Sequence, residues 1–97
     1  MQYNFEWDPA KAKANLRKHK ISFERGSQVF LDPFMVSIED EEHSEEEERW
    51  LTLGRDKNSV LLVVNHTFRE IDQDNCNIRL ISARKATMRE SKQYSTR

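Results

Sequence analysis

The sequence has one cysteine, two glycines and two prolines among 97 residues, and each scarcity excludes a class of structure or chemistry. The single cysteine, Cys76, cannot form an internal disulfide, and its polar neighbours predict an unreactive loop residue. Gly26 and Gly54 are too few and too far apart for a glycine-rich phosphate loop. Nucleotide hydrolysis by that route is therefore excluded.

Long apolar runs are also missing. No stretch approaches the roughly 18 apolar residues of a membrane-spanning helix, and the first seven residues lack the character of a signal peptide. We therefore expect a cytoplasmic protein with no membrane partner.

Clustered metal ligands are the third absence. His19, His43 and His66 lie far apart, and no second cysteine is available to complete a zinc site. The sequence predicts a protein that works without a metal ion or any other cofactor.

The composition is that of a small folded domain. Hydrophobic residues make up 36% of the chain and charged residues 34%, which is polar but sufficient for a core. A chain of this length forms one domain, residues 1–97, with a modest core that a partner can complete.

The charge is unevenly distributed. The net charge is −1, but eight acids lie between Glu39 and Glu48 without a lysine or arginine, so the rest of the chain carries +7. We expect the acidic run to form a solvated hairpin loop. Discouraging nonspecific RNA binding and receiving a basic partner are alternative uses of that loop.

Hydrophobic periodicity predicts an α+β fold with helices packed on a largely antiparallel sheet. A strand ending near Trp7 meets Asp8-Pro9, an N-cap followed by proline at the first helical position. The first helix extends to about Lys20, and its buried stripe is predicted to contain Ala12, Asn15, Leu16 and His19. Ser22 caps a second short helix, whose Gly26 implies close backbone packing or a weak helix.

Four further strands are predicted after these helices. They are one with Phe34, Val36 and Ile38 alternating, then Arg49 to Leu53, Val60 to Val64 and Ile78 to Ala83. The Val60 run, apolar throughout, is the central strand. A short C-terminal helix begins near Thr87, where Thr87 and Glu90 match a capping box. Its main apolar anchors are Met88 and Tyr94, and it fits a docking arm as well as a fixed element of the fold.

The most informative segment is the junction between the last strand and this helix. Arginines held at a rigid junction are suited to binding phosphate, so the sequence points to RNA or DNA. In metal-free cleavage of RNA, the 2′-hydroxyl attacks its own phosphorus while the protein supplies positive charge and moves a proton. We predict Arg84 as the main phosphate-stabilising residue, Arg79 as the second, and His66 as a candidate for proton transfer.

Each of these assignments has a structural alternative. Arg79 can equally be a solvated or salt-bridged strand residue, and an isolated histidine such as His66 is more often a packing residue. On the first helix, Lys11 and Lys18 can bind the RNA backbone or simply solubilise the helix, and His19 can touch substrate or hydrogen-bond in the core.

Several motifs together resemble the BrnT family of bacterial toxins over nearly the whole chain. The matching residues are Phe5-Glu6-Trp7-Asp8-Pro9 with Lys11, Asn15-Leu16 with Lys18-His19, Ile21-Ser22-Phe23, Asp32-Pro33, Arg49-Trp50, Leu53-Gly54 and Ile81 to Thr87 with Arg89 and Tyr94. The acidic run and the segment from Phe68 to Asn77 depart from the family pattern.

The resemblance implies a RelE-like fold, metal-independent RNA cleavage that inhibits translation, and a BrnA-like antitoxin that neutralises the toxin. DNA would be bound only indirectly, through the toxin–antitoxin complex at its own promoter. Arg89 and Tyr94 of the closing motif join Lys11, Lys18 and His19 as predicted RNA-binding residues.

Two other functions fit the same residues. A noncatalytic nucleic-acid-binding or regulatory module would grip phosphate without cutting, and its binding would weaken steeply with salt. A pure interaction protein would use its basic face to dock an acidic partner, without acting on RNA.

Overall fold

A computed structural model describes residues 1–44 and 47–95. Its α-helices are α1 (Pro9–His19), α2 (Phe23–Gln28) and α3 (Met88–Ser95). Its strands are β1 (Gln2–Glu6), β2 (Val36–Glu39), β3 (Arg49–Arg55), β4 (Leu61–Thr67), β5 (Arg69–Glu70) and β6 (Asn75–Lys85). Two short 3₁₀ turns, Val29–Leu31 and Glu41–His43, precede β2 and β3.

The strands form one mixed sheet in the order β1-β6-β4-β3-β2, with β5 beside β6. All neighbouring pairs are antiparallel except β1 and β6, which are parallel. The predicted α+β class and largely antiparallel sheet are confirmed, and β4 is the central strand as expected. The parallel pair and the two-residue β5 were not predicted.

The two faces of the sheet are covered differently. Leu62 and Val64 of β4 face the side on which α2 packs, where a Cβ on Gly26 would lie 3.1 Å from the Cβ of Ala83. The predicted close packing at Gly26 is thus confirmed. The alternate residues, such as Val63, point to the opposite face, which we call the open face. There α3 covers only one end, with Glu90 near Val63.

Helix starts follow the sequence closely. The Asp8 carboxylate accepts a hydrogen bond from the Ala10 N–H at 2.9 Å, and the Ser22 hydroxyl accepts one from the Arg25 N–H at 3.2 Å. In the predicted capping box, Glu90 accepts from the Thr87 N–H at 2.8 Å and donates its own N–H to the Thr87 hydroxyl at 3.2 Å. These contacts satisfy N–H groups that helix ends otherwise leave unpaired.

On α1 the buried residue is Asn15, while Leu16 is 49% exposed, contrary to prediction. The Asn15 amide donates to the carbonyl oxygens of Ala83 and Ile21, at 2.8 and 3.0 Å, and its Oδ1 accepts the Ala83 N–H at 3.1 Å. β1 pairs with β6 only as far as Arg79. Asn15 therefore supplies the backbone of Ala83 with the hydrogen bonds that a neighbouring strand would make.

Three further expectations were wrong. Cys76 is fully buried in β6 rather than in a loop, because its strand pairs with β1 at Tyr3, and burial raises the pKa of its thiol. Phe34 lies in an exposed turn, and β2 begins at Val36. Met88 is 80% exposed and anchors nothing, whereas Tyr94 is half-buried.

The acidic run is partly described. Glu39 ends β2 and Glu41 to His43 form a 3₁₀ turn, whereas Glu45 and Glu46 lie outside the described residues. No helix in the described part of the chain is long and apolar enough to cross a membrane.

Candidate nucleic-acid interface

Arg79 projects from β6 into a polar cleft of about 390 Å³ on the open face. Its neighbours along the strand, Ile78 and Leu80, are buried in the core, so strand alternation turns Arg79 outward. The cleft is lined by Glu6, Glu47, Glu48, Thr67, Phe68, Arg69, Asn77 and Arg79. It lies at the end of the sheet where β4 finishes.

The guanidinium of Arg79 is paired with the carboxylate of Glu47, and both side chains are about two-fifths exposed. Arg49 Nη2 lies 4.0 Å from the same Glu47 oxygen. Arg49 is opposite Thr67 in the β3–β4 register, and Thr67 lines the same cleft as Arg79. The two arginines therefore lie close together on the open face. One carboxylate is therefore held between two cations on an accessible surface.

Two buried polar atoms on the open-face side of β3 and β4 have no partner among the described residues, and neither residue lines the cleft. Arg49 Nε and Asn65 Oδ1 find no hydrogen-bond partner among the residues that the structure describes. The Asn65 amide nitrogen donates to Asp40 Oδ2 at 3.1 Å. Unpaired buried donors and acceptors are costly, and ordered water commonly pairs with such atoms.

Arg84, the residue predicted to be most important, lies elsewhere on the same face. It makes two hydrogen bonds to Glu90, from Nη1 to Oε1 at 2.8 Å and from Nη2 to Oε2 at 2.9 Å. The hydrogen bond from Arg84 lowers the pKa of Glu90 to about 2, and the same contact raises the pKa of Arg84. Arg84 thus holds the first turn of α3 against the sheet.

The structure places Arg79 and Arg84 on one strand but not in one pocket. They are five residues apart, which at about 3.3 Å per residue is roughly 16 Å along β6. Each already holds a carboxylate, Glu47 in one case and Glu90 in the other. A phosphate group would have to replace that carboxylate on either arginine.

His66 lies on the other face and is not brought together with the arginines. It is 2% exposed, with its ring edge against Phe30 at 4.8 Å between centroids. Nδ1 donates to the Thr67 carbonyl at 2.9 Å, so the neutral ring accepts the Thr52 hydroxyl at Nε2, at 2.7 Å. Burial lowers its pKa. His66 does not line the Arg79 cleft, and both of its ring nitrogens are occupied by partners inside the protein.

The remaining predicted residues are spread over the surface. Lys11, Lys18 and the half-buried His19 are on α1, which packs against β6 from the covered face. Arg89 is exposed on α3. The Tyr94 hydroxyl donates to Asp32 Oδ2 at 2.6 Å, and its ring lies under the Arg55 guanidinium, 5.1 Å from the ring centroid.

Sequence reasoning missed Glu47 and Arg49 as neighbours of Arg79. Glu47 appears in the sequence only as one of several consecutive acids, and its partner Arg79 is 32 positions away. The available signal was Arg49, the first cation after the acidic run. Within residues 1–44 and 47–95, no group of three or more histidine, cysteine, aspartate or glutamate residues is placed to hold a metal ion.

Comparison with known families gives one match. The model of the family described as ribonuclease toxin, BrnT, of type II toxin–antitoxin systems matches residues 7–90, which is most of the chain and includes the whole cleft except Glu6. Comparison with curated proteins finds no match for the chain.

Proposed function

Because the chain belongs to the BrnT family of ribonuclease toxins of type II toxin–antitoxin systems, we propose that it cleaves RNA in the Arg79 cleft without a metal ion. The observation that carries this proposal is the Arg79–Glu47 pair in an open polar cleft. A guanidinium that holds a carboxylate presents the same donor geometry to a phosphate. The cleft supplies both the charge and the access that such a reaction needs.

The proposed reaction is attack of the RNA 2′-oxygen on the adjacent phosphorus. Arg79 and Arg49 offset the negative charge that grows on the phosphorane oxygens. Glu47, displaced from Arg79 by the phosphate, remains in the cleft as a carboxylate that accepts the 2′-hydroxyl proton. The bond to the 5′-oxygen breaks, and that oxygen takes a proton from water. The products are a 2′,3′-cyclic phosphate and a 5′-hydroxyl.

Arg84 is proposed to bind a neighbouring phosphate after exchanging Glu90 for it. Two hydrogen bonds to Glu90 hold the Arg84 guanidinium in place on the strand that also carries Arg79. This fixed position is the support for the assignment. Backbone contacts by Lys11, Lys18, His19, Arg89 and Tyr94 stay predictions, and all five lie outside the cleft lining. His66 has no part in the proposed cleft because it faces the opposite side of the sheet.

The family also implies an antitoxin partner. We propose that this partner is BrnA-like, covers the cleft when bound, and provides the contact with DNA. A RelE-like fold and action on cytoplasmic RNA belong to the same proposal. The open face supports it, since a partner seated there would remove Arg79 from contact with RNA.

The test is cleavage of a defined RNA by the purified chain in excess EDTA, with the end groups of the products identified. We expect wild-type protein to leave 2′,3′-cyclic phosphate ends and Arg79→Ala to lose at least about 100-fold in rate, a typical effect of removing one charge-stabilising group. Lys57→Ala is the matched control, because Lys57 is exposed at the opposite end of the sheet.

Equal cleavage by the Arg79→Ala and Lys57→Ala variants would remove the cleft from the mechanism. Salt-sensitive RNA binding without cleavage by any variant would instead favour a noncatalytic RNA-binding protein.

A further inference from the structure

A second cavity of about 220 Å³ lies on the covered face, at the same end of the sheet as the Arg79 cleft. Its walls are mainly aromatic, with Tyr3 from β1, Phe30 from the 3₁₀ turn, Trp50 from β3 and Phe68 after β4. We call this cavity the aromatic groove. It is a partly open apolar surface within an otherwise packed face.

The polar groups at the back of the groove are used inside the protein. Each ring nitrogen of His66 has a hydrogen-bond partner, and the partner of Nε2 is the Thr52 hydroxyl. That hydroxyl is also hydrogen-bonded to the Ser37 hydroxyl, at 2.7 Å. These residues therefore offer little hydrogen bonding to a ligand. A ligand would be held by its flat apolar face, through stacking and burial.

Phe68 joins the groove to the cleft. It lines both cavities, and the residue before it, Thr67, contributes to the cleft while His66 contributes to the groove. Two consecutive residues at the end of β4, His66 and Thr67, therefore line the two different cavities. A nucleotide whose phosphate is on Arg79 thus has an aromatic pocket within reach of its base.

We propose that the aromatic groove binds a nucleobase of the RNA strand, stacked against Phe68 and Trp50. The proposal rests on the function proposed above. Every base has a π-face, so a groove without free hydrogen-bonding groups accepts bases with little sequence preference. Arg69 and Arg79 line the adjoining cleft, which shares Phe68 with the groove, so a ligand that carries a phosphate beside a flat base fits the two cavities better than an apolar protein side chain does.

The experiment uses short 2′-O-methyl RNA oligonucleotides, which lack the attacking hydroxyl and report binding alone. One oligonucleotide is intact and one has abasic sites, and the protein carries Trp7→Phe so that Trp50 is its one tryptophan. We expect the intact oligonucleotide to change Trp50 fluorescence and to bind about 5- to 100-fold more tightly than the abasic one. Phe68→Ala should abolish most of that difference.

The control is Ile71→Ala, which removes another exposed apolar side chain that does not line the groove. Phe68 is 40% exposed, so its variant is expected to fold, and thermal unfolding of both variants checks this. Equal affinity for intact and abasic oligonucleotides would overturn the proposal. So would a Phe68→Ala variant that keeps its preference for intact RNA and weakens only the complex with the antitoxin.

Cleavage of unmodified RNA, measured separately with Arg79→Ala, tests the proposed function. A protein that cuts RNA but binds abasic RNA equally well retains that function and lacks the base site.

Discussion

At the scale of single residues, the two arginines of β6 differ in what holds them. Arg84 is fixed by two short hydrogen bonds to Glu90, whereas Arg79 pairs with an exposed carboxylate that also lies near Arg49. An exposed pair of the second kind contributes about 0–1 kcal/mol, so a phosphate can displace Glu47 at little cost. The displaced carboxylate then stays within the cleft, where it can accept a proton.

Glu47→Gln separates the two effects of this carboxylate. Removing its charge should tighten binding of uncleavable 2′-O-methyl RNA about 2- to 5-fold, because Arg79 no longer has a competing anion. The same change should slow cleavage at least about 100-fold, because glutamine cannot accept the 2′-hydroxyl proton. Fluorescence anisotropy and single-turnover cleavage measure the two quantities.

Glu42→Gln is the control for Glu47→Gln. It makes the same change of charge in the same acidic run, and Glu42 forms none of the ion pairs between described residues. If both variants cleave equally fast, Glu47 is only a surface counter-ion.

Residue roles were predictable where the chemistry is local. The Asp8, Ser22 and Thr87 caps could be read directly, because a cap and its N–H lie within three residues of each other. Glu47 and Asn15 could not be assigned, since the partner of Glu47 is 32 residues away and that of Asn15 is 68 residues away. Nothing in a single sequence identifies contacts at that separation.

At the scale of elements, Glu90 is the main contact between the first turn of α3 and the sheet. Glu90 joins the capping box to Arg84, and the helix has only eight residues, too few to be stable alone in water. Met88 is exposed, whereas Tyr94, near the other end of the helix, contacts Asp32 and Arg55. The helix is therefore held by polar contacts at both ends.

Glu90→Gln should loosen α3 without unfolding the sheet. We expect faster amide hydrogen exchange throughout the helix and a loss of about 1 kcal/mol in the free energy of unfolding, after allowing for solvent screening of a partly exposed pair. The folded-state pKa of Glu90 is about 2, below its ordinary value. This stabilisation is accordingly complete above about pH 4.5 and is lost as the pH falls towards 2.

Arg89→Gln is the matched variant for this prediction, because Arg89 is exposed on the same helix. It should leave the exchange rates of α3 almost unchanged. Equal acceleration in the two variants would show that the Arg84–Glu90 contact does not hold the helix.

Hydrophobic periodicity predicted most of the strands and helices, but it did not predict which strands pair with each other. Alternation located β1 and β3, and the continuous apolar run from Val60 to Val64 located β4 at the centre of the sheet. The parallel pairing of β1 with β6 was not visible, because strand order depends on contacts between the two ends of the chain. That pairing is also why β6 extends back to Asn75 and why Cys76 is buried.

At the scale of the whole molecule, the two proposed binding sites lie at one end of the sheet. The ends of β4 and β6 bring the Arg79 cleft to the open face and the aromatic groove to the covered face, with Phe68 between them. The opposite end of the sheet is braced by the turn at Asp56, whose carboxylate binds Arg25 at 2.9 Å. Burial alone would raise the pKa of Asp56, but its hydrogen bonds to backbone N–H groups and to Arg25 outweigh this effect and lower the pKa.

The buried His66 makes the stability of the whole fold sensitive to mild acid. Its surroundings are Phe30, Thr52 and the Thr67 carbonyl, and none of these contacts, all between described residues, is with a charged group that would stabilise an imidazolium. Burial therefore lowers its pKa in the folded state, while the unfolded chain titrates near 6.5. The unfolded state binds the proton more tightly, so stability is complete above about pH 6.5 and falls as the pH decreases below it.

We expect the free energy of unfolding to fall by up to about 1.4 kcal/mol per pH unit below 6.5, as far as the folded-state pKa of His66. Urea unfolding between pH 7.5 and 5 measures this slope. His66→Gln should be less stable at pH 7.5 but should lose most of the slope, whereas His43→Gln, an exposed control, should keep it. If the slope persists in His66→Gln, other groups cause it. If folded His66→Gln binds RNA normally but cleaves it far more slowly, His66 has the proton-transfer role that its buried position opposes.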